Sequence, residues 1–181
     1  MGFRKDIQTL ASNFKESRIT MDYMYELVRE QHHRLRETED MVQFMVELHR
    51  LFPTVLDVGV DKNIKPYFIC ADISQYGDDF SVKMFHSEDN FNGRSNKIVL
   101  RPDPTGMVYI CDIHTSKPSQ GYGNALMRAL IQYCSAQGYA GLYGVLRPND
   151  DDNRKRLLAF YSKFEFTIET DRIWRPLHPI G

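Results

Sequence analysis

The 181 residues include one tryptophan and three cysteines, and no apolar run approaches the roughly 20 residues that span a bilayer. The opening MGFRKDIQTL lacks the apolar stretch of a signal peptide. Asp6 stands where a myristoylation signal carries Ser or Thr. A net charge of −1 provides no overall field to gather nucleic acid or an anionic membrane, so neither is expected as a partner. Cys70, Cys111 and Cys134 are far apart and odd in number, without disulfide or zinc spacing. They are expected to be small buried side chains in a reducing compartment, which makes the expected location cytoplasmic and the expected metal content none. What remains is ordinary for a globular protein, with 42% hydrophobic and 26% charged residues, and long enough to bury a core.

Two textures divide the chain, and the expected boundary lies between residues 1–53 and 54–181. The first reads as helix. Tyr23 to Phe52 contains neither glycine nor proline, and Pro53 marks its stop. Met24, Val28, Gln31, Leu35, Thr38, Val42, Met45, His49 and Phe52 recur at alternating steps of four and three, a narrow stripe expected to be buried. Two readings stand for that stripe. One is a helix, or a kinked pair, packed on its own domain. The other is a coiled coil that joins a partner or makes a homodimer. His32 and His33 are adjacent, share no helix face, and are expected at the surface.

The second texture is short β-rich runs. Strands are expected at 67–71, 80–85, 97–100 and 107–115, with turn residues at Gly77-Asp78-Asp79 and from Asn90 to Asn96. A helix from Gly123 to Gln137 should end at Gly138. A strand at 139–146 follows, then a helix opened by Asp150-Asp151-Asp152, where acids favour the positive end. Strands at 164–168 and 172–177 close the chain. The order predicts an α/β fold, with a mixed sheet and helices across it.

The segment Ser119-Gln120-Gly121-Tyr122-Gly123-Asn124-Ala125-Leu126 joins a strand to a helix. Glycines let backbone approach an anion, and the first N–H groups of a helix have no partner within it. With the helix dipole this is a pyrophosphate site. No Gly-Lys-Ser/Thr ends it, which excludes a Walker loop. Leu126 stands at the third glycine position of a dinucleotide fingerprint, and no acid lies near Tyr143, which argues against that fold as well.

Gln120 to Ala125 resembles the Gln/Arg-x-x-Gly-x-Gly/Ala signature of the GNAT N-acetyltransferase superfamily. Leu158-Ala159-Phe160-Tyr161-Ser162-Lys163-Phe164-Glu165-Phe166 resembles a second block of that family. The resemblance covers about residues 65–177. It implies a central sheet of six to seven strands with helices on both faces, behind an N-terminal helical extension. It implies acetyl-CoA as cosubstrate, with an amine-bearing small molecule or a protein or peptide amine as acceptor.

The implied roles follow by position. The strand from Cys111 to Thr115 should splay from its neighbour, so that backbone at Ile113, His114 and Thr115 pairs with the pantetheine arm. Gln120, Gly121, Tyr122, Gly123, Asn124 and Ala125 should hold the pyrophosphate. Tyr161 should protonate the leaving thiolate; a phenol and a thiol are close enough in acidity to share a proton. Asn153 stands one residue ahead of the position where the family carries a cofactor-binding Asn, which here is Arg154. Glu165 replaces a family glycine, and since Glu disfavours left-handed backbone that turn is expected to differ. Asp112, His114 and Asp72 are the candidate bases. The basic run Arg154-Lys155-Arg156 is a candidate for the 3′-phosphate. Asp57, Asp61, Asp72, Asp78 and Asp79 hint at a cationic acceptor.

Overall fold

The computed structural model describes residues 2–73, 79–87, 96–116 and 120–178, with side chains from residue 21 onward. Of the turns expected at Gly77-Asp78-Asp79 and from Asn90 to Asn96, residues 77–78 and 90–95 lie outside the described residues, as do residues 117–119. Two compact units divide the chain, Met1–Val46 and Glu47–Gly181.

The first unit belongs to one unbroken helix, α1 (Gly2–Leu51). The expected burial of its stripe is not observed before Phe52. Met24 is 58% exposed, Val28 49%, Leu35 59%, Val42 54% and Met45 49%. His32 and His33 are exposed as expected, and His33 Nδ1 lies 3.4 Å from Glu37.

In the second unit the end of α1 is anchored by Leu48, which is off the stripe, and by Phe52, the last member of the stripe and the residue after the helix, both buried. They are spaced i, i+4 and so share one face. Phe52 stacks on Phe85 at 4.9 Å, and Lys83 lies 5.4 Å over its ring.

Eight strands form one sheet: β1 (Thr54–Val60), β2 (Pro66–Ile73), β3 (Phe80–His86), β4 (Asn96–Pro102), β5 (Met107–His114), β6 (Gly141–Val145), β7 (Thr167–Glu169) and β8 (Arg172–Pro176). Their spatial order is β1-β2-β3-β4-β5-β6-β8-β7. β1 was not expected from the sequence. It is an edge strand with Val55, Val58 and Val60 exposed, so it has no buried face to give an alternating pattern. The first five strands run antiparallel in sequence order, and β5 to β6 is the parallel step. A parallel step needs a crossover, supplied by α2 (Tyr122–Ala136). α3 (Asp151–Lys163) links β6 to β7.

Strand periodicity sorts the core. Ile69, Val82, Met84, Ile98, Leu100, Val108 and Ile110 form one cluster with Leu126, Met127, Leu130 and Cys134 of α2. Burial of each large aliphatic side chain contributes about 1.5–3 kcal/mol, so this cluster fixes α2 on the sheet.

Both C-terminal helix ends close in the same way. After α2, Gly138 adopts φ +77, with its N–H on Ser135 O (3.2 Å) and that of Tyr139 on Cys134 O (3.0 Å). After α3, Glu165 adopts φ +59, donating to Ser162 O (3.0 Å), while Phe166 donates to Tyr161 O (3.2 Å). Both are Schellman closures. The expectation that Glu165 would alter the turn is therefore corrected: the left-handed conformation is kept. Its steric cost is offset by those two hydrogen bonds, by the Tyr161–Phe166 ring contact (5.2 Å), and by Arg175 reaching Phe164 O and Glu165.

Candidate active site

β5 determines the site. It pairs with β6 only from Met107↔Gly141 to Ile110↔Gly144. Beyond Ile110 the two strands part, and β5 continues alone on that side to His114. On its other side it stays paired with β4, where the register slips: Val99 faces Asp112 and Leu100 faces Ile110, so Cys111 is the extra residue of a β-bulge. The bulge shifts the alternation, so Ile113 rather than Asp112 packs on the core that holds Val108 and Ile110. Asp112 is turned to the exposed side. Cys111 is exposed too, against the expectation that all three cysteines would be buried. Asn96, buried at the start of β4, braces the strand end: its Oδ1 accepts from Ser116 N (2.7 Å) and Ser116 Oγ (3.0 Å).

The gap opens into a cleft of about 770 Å³. Its walls come from β5 (Tyr109 to Ile113, with Thr115), the start of α2 (Gly121 to Asn124), the end of β6 and α3. Thus Asp112, Ile113, Thr115, Gly121, Tyr122, Gly123, Asn124, Asn153 and Tyr161 are brought together. Three expected residues are not among the lining: His114, Gln120 and Ala125. Ala125 has a clear reason. Its N–H donates to Gly121 O at 3.1 Å and its side chain is buried in the core, so it has nothing left for a ligand.

Gly121 is the N-cap of α2, at φ +88, and has no side chain with which to cap the helix. The N–H groups of the first turn thus face the cleft without an intrahelical acceptor. A Cβ at Gly121 would meet nothing within 4 Å, so backbone conformation, not space, demands glycine there.

Tyr122 anchors this turn. Its hydroxyl donates to Asp61 Oδ2 at 3.1 Å. The Asp61 side chain is 2% exposed, and its other oxygen accepts from the N–H groups of Asn63 (2.8 Å) and Lys65 (2.9 Å). His86 Nε2 lies 3.6 Å from the same carboxylate, its ring edge-on to Tyr122 at 5.3 Å. The Lys65 N–H foremost, with Asn63, Tyr122 and His86, holds the Asp61 carboxyl below its usual range against the opposing effect of burial. Sequence reading did not connect Asp61 with Tyr122, which lie 61 residues apart.

Tyr161 is 6% exposed on α3, with Phe160 and Phe166 rings each 5.2 Å away. Burial, reinforced by the charge of Asp112 and by Tyr109, pushes its phenol up to about 12. It therefore carries its proton at neutral pH, as a proton donor must.

The remaining expected groups are otherwise engaged. Asp72 is ion-paired with Lys83. Asp79 makes a two-pronged contact with Arg101, at 2.6 and 2.9 Å. Asp57 bonds the next backbone N–H. Asp78 lies outside the described residues. These acids thus give no support to a cationic acceptor. In the basic run, Arg154 holds the β7–β8 turn through Asp171 (2.9 Å) and Thr170 O (3.1 Å), and Lys155 lies 3.6 Å from Asp152. Arg156 alone of the three lines the cleft, joined by Arg147, which sequence reading did not single out.

Among the described residues no helix is long and apolar enough to cross a membrane. No protein-family model matches this sequence, and no curated protein matches it. Solved structures do match. One is a cAMP-binding acyltransferase from Mycobacterium smegmatis, 11% identical, covering 74% of this chain and 50% of that one, at a TM-score of 0.51. Another is the ribosomal-protein-S18-alanine N-acetyltransferase of Escherichia coli, 17% identical, covering 59% of this chain and 74% of that one, at 0.47. A third is an acetyltransferase of the GNAT family from Staphylococcus aureus, 16% identical, covering 55% and 68%, at 0.43. The likeness is one of fold, and this chain spans half the length of the mycobacterial protein. The fold is the one seen in that mycobacterial structure. What is shared is the arrangement of a mixed sheet crossed by helices, as expected from the order of elements in the sequence.

Proposed function

We propose that this protein is an N-acetyltransferase that moves an acetyl group from acetyl-CoA to an amine by direct attack in a ternary complex. The observation that carries this reading is the parting of β5 from β6 after Ile110, in front of the uncapped start of α2 and beside the buried, protonated Tyr161. The residues fit the cofactor. Backbone N–H groups at Tyr122, Gly123 and Asn124 suit a pyrophosphate, and Arg147 and Arg156 supply positive charge for further phosphate. The free edge of β5 at Ile113 to Thr115 suits the amide-bearing pantetheine arm, as an added strand would.

In the reaction the amine nitrogen attacks the thioester carbonyl. Backbone N–H near Ile113 and His114 stabilises the oxyanion. Asp112, the one of the three candidate bases that lines the cleft, accepts the ammonium proton directly or through water. Collapse breaks the C–S bond, and Tyr161 gives its proton to the departing thiolate.

The test is incubation of the isolated protein with acetyl-CoA and a panel of small and peptide amines. The reading expects free thiol to appear together with an acetylated amine. Acetyl-CoA binding without thiol release on any acceptor would instead indicate a CoA-binding module.

A further inference from the structure

The exposed stripe on α1 is unexplained by the cleft. In heptad terms Met21, Val28, Leu35 and Val42 occupy the a positions, and Met24 and Met45 two of the d positions. All six are 49–59% exposed in the single chain. A lone helix gains nothing from displaying such a seam over nearly four heptads, because the apolar surface stays in water. The charges flanking the seam say what covers it. Arg34 falls at g and Glu39 at the following e, the two positions that meet across a parallel pair of identical helices in register. The other g–e pairs in that register, Leu27 with His32 and Met41 with Val46, place no like charges together. Antiparallel pairing would instead set g against g, and Arg34 would lose Glu39 as its partner. Within one helix Arg34 pairs with Glu30 at 2.6 Å, an exposed contact worth little and easily exchanged.

We infer that residues 21–46 form a parallel, in-register two-stranded coiled coil with a second copy of this chain. Gln31 and Thr38 at d positions weaken the core while disfavouring slipped registers, so a reversible dimer follows rather than an obligate one.

The test is sedimentation of the full chain over a concentration series. Wild type should pass from monomer to dimer. Leu35→Glu should raise the dissociation constant about 100-fold or more, since it buries charge at the centre of the seam. Unchanged thermal unfolding of the second unit in that variant would show that it still folds. Arg34→Glu should weaken the dimer and the pair Arg34→Glu/Glu39→Arg should restore it. Leu35→Cys should form an interchain disulfide on mild oxidation while wild type does not. A monomer at all concentrations, a dimer indifferent to Leu35→Glu, or a dimer that Leu35→Cys fails to cross-link would each overturn the inference.

Discussion

The two helices that border the cleft begin in opposite ways. α3 starts behind Asp150, whose carboxylate accepts the Asn153 N–H at 2.6 Å, and Asp151 and Asp152 fill its first turn. That end is satisfied internally and carries negative charge, so a phosphate gains nothing there. α2 starts behind Gly121, in left-handed backbone, with neither cap nor acid in its first turn. An uncapped helix start facing a cleft costs stability unless an anion completes it. Under the proposed function the difference divides the roles: α2 would bind the phosphates, and α3 would bring side chains, Tyr161 above all.

Four substitutions sharpen or break that division. Tyr161→Phe should have the largest effect, lowering kcat by about 100-fold while the KM for acetyl-CoA changes by less than about twofold. Because the phenol is raised from 10.0 to about 12, its neutral form persists through pH 10 and its contribution is lost only as pH rises toward 12. An alkaline limb below pH 10 in the rate profile must then belong to another group, and one that vanishes in Tyr161→Phe would contradict this assignment. Next, Gly121→Ala should weaken acetyl-CoA binding about tenfold, since holding alanine in left-handed backbone costs about 1–2 kcal/mol or else moves the N–H groups. Calorimetric titration reads it directly. Asp150→Ala should do the reverse, costing about 1 kcal/mol in urea unfolding with acetyl-CoA affinity nearly unchanged. A large loss of affinity there would place the phosphate on the wrong helix. The smallest effect is expected from Glu165→Gly, a gain of less than about 1 kcal/mol from relief of the left-handed strain; a loss would show that the Arg175 contact outweighs it.

Much of this was legible in the sequence because it rests on local chemistry. The glycines at 121, 123 and 138, the acids at 150–152 and the alternation in β3 each specify their own backbone. Other features depend on distant partners. β1 was missed because an edge strand with exposed valines has no one-sided pattern. The bulge at Cys111 is a property of the β4–β5 register, and the string of residues from Tyr109 to His114 cannot show which one β4 leaves unmatched. It favours Asp112 as the proposed base, by packing Ile113 against the core and leaving Asp112 on the exposed side of the cleft. Asp61 looked like a solvated loop acid until folding placed it under Tyr122. The stripe on α1 was correctly read as periodic, but periodicity does not say whether a domain or another chain covers it.

The central claim is that the open start of α2 receives the phosphates of acetyl-CoA. Amide NMR shifts on titration with acetyl-CoA test it most directly. The account predicts the largest shifts at Gly121, Tyr122, Gly123 and Asn124, with small ones at Asp151 and Asp152. Shifts centred on the start of α3, or none at either helix, would contradict it.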